Sequence, residues 1–231
     1  MNDEPSSPGT AVPGLRAPWW LRGIFVALGL AGWFGTQAML GARESPVGVI
    51  GDGLLDLLAG ANRYLHDNPR AADALLIVSS TIINVLAVFL LAQSIFGKTV
   101  RPFLGLLMLF AMRQICQSLC ALPAPEGIIW RDPGFPGFLV TYEVVSDFFF
   151  SGHTALAVLG SVELVRFGGR WWLPVGVLIA VFEATTVLVL RAHYTMDVYT
   201  GAIVALFAAI LAERWAPWCD ALLARVPGRW R

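Results

Sequence analysis

Two short polar clusters, Ser151-Gly152-His153-Thr154 and His193-Tyr194-Thr195-Met196-Asp197-Val198, carry two of the chain's three histidines. Both are set in sequence that otherwise looks membrane-spanning, where ionisable groups are costly and by default mark functional sites. His193 and Asp197 are four residues apart, so on a helix that starts by this point they share one face and their side chains meet. A carboxylate that accepts from one imidazole nitrogen sets the tautomer and presents the other nitrogen as nucleophile or base. The first cluster has the makings of a helix start, whose unpaired N–H groups and positive dipole end hold a phosphate. Gly152 allows close backbone approach, and Ser151 caps the helix or bonds an oxygen of the anion. His153, protonated, then gives its proton to a leaving oxygen while His193 attacks phosphorus. The chemistry indicated is phosphoryl transfer by two histidines in opposite protonation states.

Such a reaction depends on stabilising charge over the equatorial oxygens, and Arg113 and Arg191 are the candidates for substrate binding. Arg113 lies inside an apolar run, where it is expensive without an anionic partner. A structural pair with Asp147, Glu143 or Glu183 is the competing reading, and Arg191 serves equally as an interfacial anchor. Each histidine alone fits a bond to a neighbouring helix; a histidine beside a glycine and a helix start, together with one a turn from an aspartate, argues for a site. Cys116 and Cys120 sit one helical turn apart and Cys219 is remote, which gives neither a disulfide framework nor a metal-ligand spacing. No metal and no cofactor are expected.

The elements that must position these residues are membrane spans. With 57% apolar residues, 14% charged residues and a mean hydropathy of +0.67, the chain is an integral membrane protein in class. Its formal net charge is zero, which excludes a basic field for nucleic acid. Apolar runs at 23–42, 74–97, 102–125, 148–166, 171–190 and 198–212 predict six transmembrane helices, an all-α polytopic fold; the last is short unless it begins at His193. The alternative for the first run is a cleaved signal peptide, whose apolar region would be shorter. The expected organisation is a flexible cytoplasmic tail at 1–18, a six-span domain at 19–216 and a short basic cytoplasmic tail at 217–231. Between the first two runs, Leu54, Leu55, Leu57, Leu58 and Leu65 alternate with charges at helical spacing. That segment either lies flat in the interface to guide a lipid or packs on the bundle.

Ten basic residues fall on the side of the tails and five opposite, with Arg113 inside a span. Cytoplasmic loops are enriched in Lys and Arg, so both termini are expected in the cytoplasm and both polar clusters at the non-cytoplasmic face.

Ser-Gly-His-Thr followed some forty residues later by His-Tyr-Thr-x-Asp-Val resembles the sphingomyelin synthase-like branch of the lipid phosphate phosphatase (type 2 phosphatidic acid phosphatase) superfamily. Asp147, six residues before His153, and Arg113 with Leu122-Pro123-Ala124-Pro125 extend the resemblance, which covers about residues 100–215. It implies a lipid phosphatase-like helical core, metal-independent head-group transfer, a catalytic triad of His153, His193 and Asp197, and a place for Asp147 in substrate binding. In that scheme His193 takes the head group from a phospholipid donor as a phosphohistidine and passes it to a lipid hydroxyl such as ceramide, to diacylglycerol, or to water. Lys98, Arg101 and Pro102 are compressed, and Arg191 stands only two before His193, which argues against a plain lipid phosphatase. A phospholipase C-like hydrolase is the alternative enzyme. A lipid transporter or binding protein is the alternative of another class, although the polar residues cluster at one face instead of lining a pathway.

Overall fold

The computed structural model describes residues 50–120, 122–134 and 149–224. The tail at 1–18, the expected first span at 23–42, Glu143, Asp147 and the end of the chain lie outside the described residues. Among the described residues the structure is all-helical: α1 Gly53–Leu57, α2 Ala59–Asp67, α3 Pro69–Phe96, α4 Arg101–Leu119, α5 Gly152–Gly168, a 3-10 turn Arg170–Trp172, α6 Leu173–Val189 and α7 Thr195–Ala224.

Among the described residues four helices are long and apolar enough to cross a membrane: Pro69–Phe96, Arg101–Leu119, Arg170–Val189 and Thr195–Leu222. The run expected at 148–166 becomes α5, which starts only at Gly152 because Ser151 caps it; its 17 residues are about 25 Å long. The run expected at 102–125 stops at Leu119, with Cys120 already extended and Pro123 and Pro125 unable to donate a helical bond. The last helix is longer than its apolar run and continues past 216 to Ala224.

The bundle is amphipathic in the membrane sense, with apolar side chains outside and polar ones within. On α3, Leu76, Ile83, Leu86 and Leu90 recur at helical spacing and are buried, while Val78, Val85, Val88 and Ile95 face out. The interior holds Ser79, Glu183, Thr186, His153, His193 and Asp197. Ser79 Oγ donates to Glu183 Oε2 at 2.6 Å, which ties α3 to α6 around a fully buried carboxyl. Small residues let helices approach closely where no aqueous hydrophobic effect drives them together. On α7 the buried stripe Ala205, Ala208, Ala209 and Ala212 serves this purpose, and Ser161 Oγ on α5 donates to the carbonyl of Gly176 on α6 at 2.9 Å.

The short helices α1 and α2 pack on one end of the bundle through Leu55 and Leu65, so the packing reading of this segment holds; Leu57, 78% exposed, and Tyr64 remain outside. Asp52 starts α1 by accepting from the backbone N–H groups of Leu54 and Leu55 at 3.1 and 3.2 Å.

Candidate active site

α5 begins as its sequence dictates. Ser151 is the N-cap, and its Oγ accepts from Thr154 N at 3.3 Å and lies 3.1 Å from Thr154 Oγ1. His153 is therefore in the first turn, 8% exposed, its ring nearly perpendicular to the Trp130 indole at a centroid separation of 5.0 Å. The guanidinium of Arg113, from α4, lies against this start: Arg113 Nε donates to the carbonyl of Phe150 at 3.0 Å. A Cβ on Gly152 would sit 3.3 Å from that same nitrogen, so any other residue would press on the guanidinium.

The start of α7 corrects one expectation. His193 precedes the helix, which begins at Thr195, so it and Asp197 do not share one helical face. They meet because Asp197 turns back toward the helix start, its Oδ2 accepting from Tyr194 N at 2.9 Å in the manner of a capping box. The same oxygen lies 3.7 Å from His193 Nδ1. That is longer than a hydrogen bond. Asp197 is fully buried, and its Oδ1 and His153 Nε2 have no hydrogen-bond partner among the described residues.

A backbone bond joins the two clusters: Ser151 N donates to the carbonyl of Asp197 at 3.1 Å. The helices close up at this point because α7 carries Gly201, whose Cβ, if present, would lie 2.7 Å from the Ser151 carbonyl oxygen. Arg113, Ser151, Gly152, His153, His193 and Asp197 are thus brought together, with His153 within electrostatic reach of both His193 and Arg113. Arg191 is engaged differently. With φ of 51° in the turn between α6 and α7, it donates to the carbonyls of Glu126 at 2.7 Å and Leu55 at 3.1 Å and so ties this turn to a loop and to α1.

Four positioning residues were not singled out from sequence. Asp52 accepts from Thr195 N and Thr195 Oγ1, both at 2.6 Å, and therefore caps α1 and the start of α7 together. Burial raises the Asp52 carboxyl, but hydrogen bonds from the Thr195 hydroxyl and from the backbone of Thr195, Leu55 and Leu54 outweigh it and hold the group below its ordinary value. Asn62 donates to the carbonyls of Gly127 at 3.1 Å and Val189 at 2.9 Å. With Ile129 N bonded to the Leu190 carbonyl at 2.8 Å, this fixes the loop that presents Trp130 to His153. Only Gly201 had a legible signal, since it lies one helical turn beyond Asp197. Asp52 was hidden among the charges of an amphipathic segment, and nothing in the sequence singles out Asn62 or Trp130.

Taken together, the apolar exterior, the spans and the polar clusters at facing helix starts define an integral membrane protein with a lipid phosphatase-like helical core. The crystal structure of Aquifex aeolicus LpxE matches with a TM-score of 0.54 over 74% of this chain and 99% of that one, at 16% identity, which shows a shared fold. The AtPDCT1/2 family model matches residues 55–214, and the chain belongs to that family. A relative, phosphatidylcholine:diacylglycerol cholinephosphotransferase 1 of Arabidopsis thaliana, is 24% identical over 185 residues, covering 79% of this chain. The chain spans 58% of that relative's length. These likenesses fit the superfamily branch that the motifs resemble, and the relative's name describes the expected class of enzyme.

Proposed function

We propose that the protein is a phospholipid head-group phosphotransferase that moves phosphocholine from phosphatidylcholine to diacylglycerol, with His193 as nucleophile, His153 as proton carrier and Asp197 orienting His193. The observation that carries this reading is the 3.1 Å bond from Ser151 N to the Asp197 carbonyl, which holds the two histidine-bearing helix starts together with Arg113 beside them. His193 attacks phosphorus while the bond from phosphorus to the diacylglycerol oxygen breaks, and His153 gives that oxygen its proton. The hydroxyl of an incoming diacylglycerol then gives its proton to His153 and attacks phosphorus, the N–P bond breaks, and both imidazoles are restored. Arg113, the α5 start at Gly152 and the Ser151 cap stabilise the non-bridging oxygens. Asp147 keeps the substrate-binding role implied by the resemblance. Arg191, bonded to the carbonyls of Glu126 and Leu55, acts by positioning the turn that leads to His193.

Diacylglycerol takes the place of ceramide in this proposal because the relative's name specifies that acceptor. Leaving group and acceptor then belong to one chemical class, so the reaction is an exchange with an equilibrium constant near unity. The four long helices and α5 account for five of the six spans expected from the sequence. In this reading the site opens on the non-cytoplasmic face.

The test supplies purified full-length protein in phosphatidylcholine nanodiscs with labelled diacylglycerol. Label is expected in phosphatidylcholine without net consumption of either lipid, and none with His193→Ala. Product formed only from added ceramide, or phosphocholine released into water, would replace the acceptor; no turnover of any donor would overturn the enzyme reading.

A further inference from the structure

At the end of the bundle away from the histidines, a cavity of about 600 Å³ opens between the last turn of α3, the first turn of α4 and the last turns of α5. Thirteen residues of α5 separate His153 from Arg166, so the cavity is about 20 Å from the phosphoryl chemistry. We propose that it is a second lipid site, which takes an anionic phospholipid with its phosphate at Lys98, Arg101 and Arg166 and an acyl chain along Ala92, Phe96 and Phe167.

The polar part is built around a buried carboxylate. Glu163, 3% exposed, accepts from Arg101 Nε at 3.2 Å and Nη2 at 2.9 Å, and from Arg166 Nη1 at 2.7 Å. A buried carboxylate is tolerated only when paired, and here it fixes the planes of two guanidiniums at once. Arg166 also bonds the exposed Glu213. Three cations, Lys98, Arg101 and Arg166, line the cavity with one carboxylate, Glu163; Glu213 pairs with Arg166 from outside that lining, and Asp220 accepts from Val100 N at 2.9 Å. Arg101 Nη1 makes no hydrogen bond or ion pair among the described residues, which leaves a guanidinium donor for the anion.

The apolar part argues for a lipid over a soluble anion. Phe96 is 84% exposed in the last turn of a membrane-spanning helix, and Phe167 is exposed at the end of α5; both line the same cavity as the cations. Charge at the helix ends with aromatic and aliphatic surface just inside matches an amphiphile that enters sideways from the bilayer. The volume lies within the range of small-molecule sites. This inference is independent of the phosphotransfer proposal.

The experiment is native mass spectrometry of the full-length protein with phosphatidylglycerol and phosphatidylcholine in competition. Phosphatidylglycerol should be retained preferentially, about fivefold less with Lys98→Gln, and less with Phe96→Ala. Arg214→Gln, which removes an exposed charge on α7 that does not line the cavity, should leave retention unchanged. Equal retention of the two lipids, no change with Lys98→Gln, or an equal loss with Arg214→Gln would overturn the site. If inorganic phosphate alone displaces the lipid and Phe96→Ala has no effect, the cavity binds a soluble anion and the lipid assignment fails.

Discussion

Asp197 holds the backbone of Tyr194 and faces the imidazole of His193 with the same carboxylate oxygen, so removing its charge separates geometry from chemistry. An Asn side chain still accepts from Tyr194 N, which preserves the helix start, but its amide no longer stabilises the imidazolium or selects the tautomer. Asp197→Asn is therefore expected to melt within a degree or two of wild type while single-turnover head-group transfer falls by about 100-fold or more. An unchanged rate would remove Asp197 from the triad, and loss of the fold with the rate would make it purely structural. At this scale much of the site was legible, because His153, Ser151, His193 and Asp197 are polar residues in apolar sequence and membrane burial makes such residues expensive. Trp130 was not legible. Its role arises from a loop whose position is set by Asn62, Ile129 and Arg191, contacts of long sequence separation that no local spacing encodes.

Two residues decide how the elements meet at the α7 start, and each carries an expectation. Asp52 caps two helices, so Asp52→Ala should lower stability by about 1–2 kcal/mol and reduce turnover through displaced His193. Its carboxyl is held below the ordinary range in the folded state, so its contribution is present above the unfolded value and is lost as pH falls through the folded one. Melting temperature in detergent should decline below about pH 4 in wild type and less steeply in Asp52→Ala; parallel profiles would show that the cap is not the acid-sensitive tie. Gly201→Ala places a methyl 2.7 Å from the Ser151 carbonyl, which is backbone and cannot swing aside. It should cost about 1–3 kcal/mol by overpacking and reduce turnover by separating the two helix starts, whereas unchanged melting and rate would show that α7 can shift without consequence. The sequence located the long helices because their apolar runs are continuous, and it placed the starts of α5 and α7 less well because the Ser151 and Asp197 side chains set them. Asp197 acts as a capping side chain for Tyr194 and so puts His193 outside the helix, a detail that apolar periodicity does not carry.

At the scale of the whole molecule, orientation decides which leaflet supplies the substrate. Successive helices alternate in direction: α3 leaves the site end, α4 returns with Arg113, α5 leaves from His153, α6 returns to Arg191 and α7 leaves from Asp197. The chain therefore has a site end, with Arg131 paired to Asp73, and a far end with Lys98, Arg101, Arg166, Arg170 and Arg214. On the six-span reading of the sequence most basic residues fall on the tail side, and the enrichment of Lys and Arg in cytoplasmic loops then gives the expectation that the site is on the non-cytoplasmic face. The expectation is tested in a background without Cys116, Cys120 and Cys219, with a single cysteine at exposed Asp132 on the site end or at exposed Arg214 on the far end. In sealed cells an impermeant maleimide should label Asp132→Cys at once and Arg214→Cys only after permeabilisation; the reverse pattern would invert the protein. A phosphorylated head group crosses the hydrocarbon unaided at high cost, so a site open to one face exchanges head groups among the lipids of that leaflet alone. Donor phosphatidylcholine confined to the leaflet that carries the Asp132 label should therefore be consumed, and donor confined to the other leaflet should be left untouched.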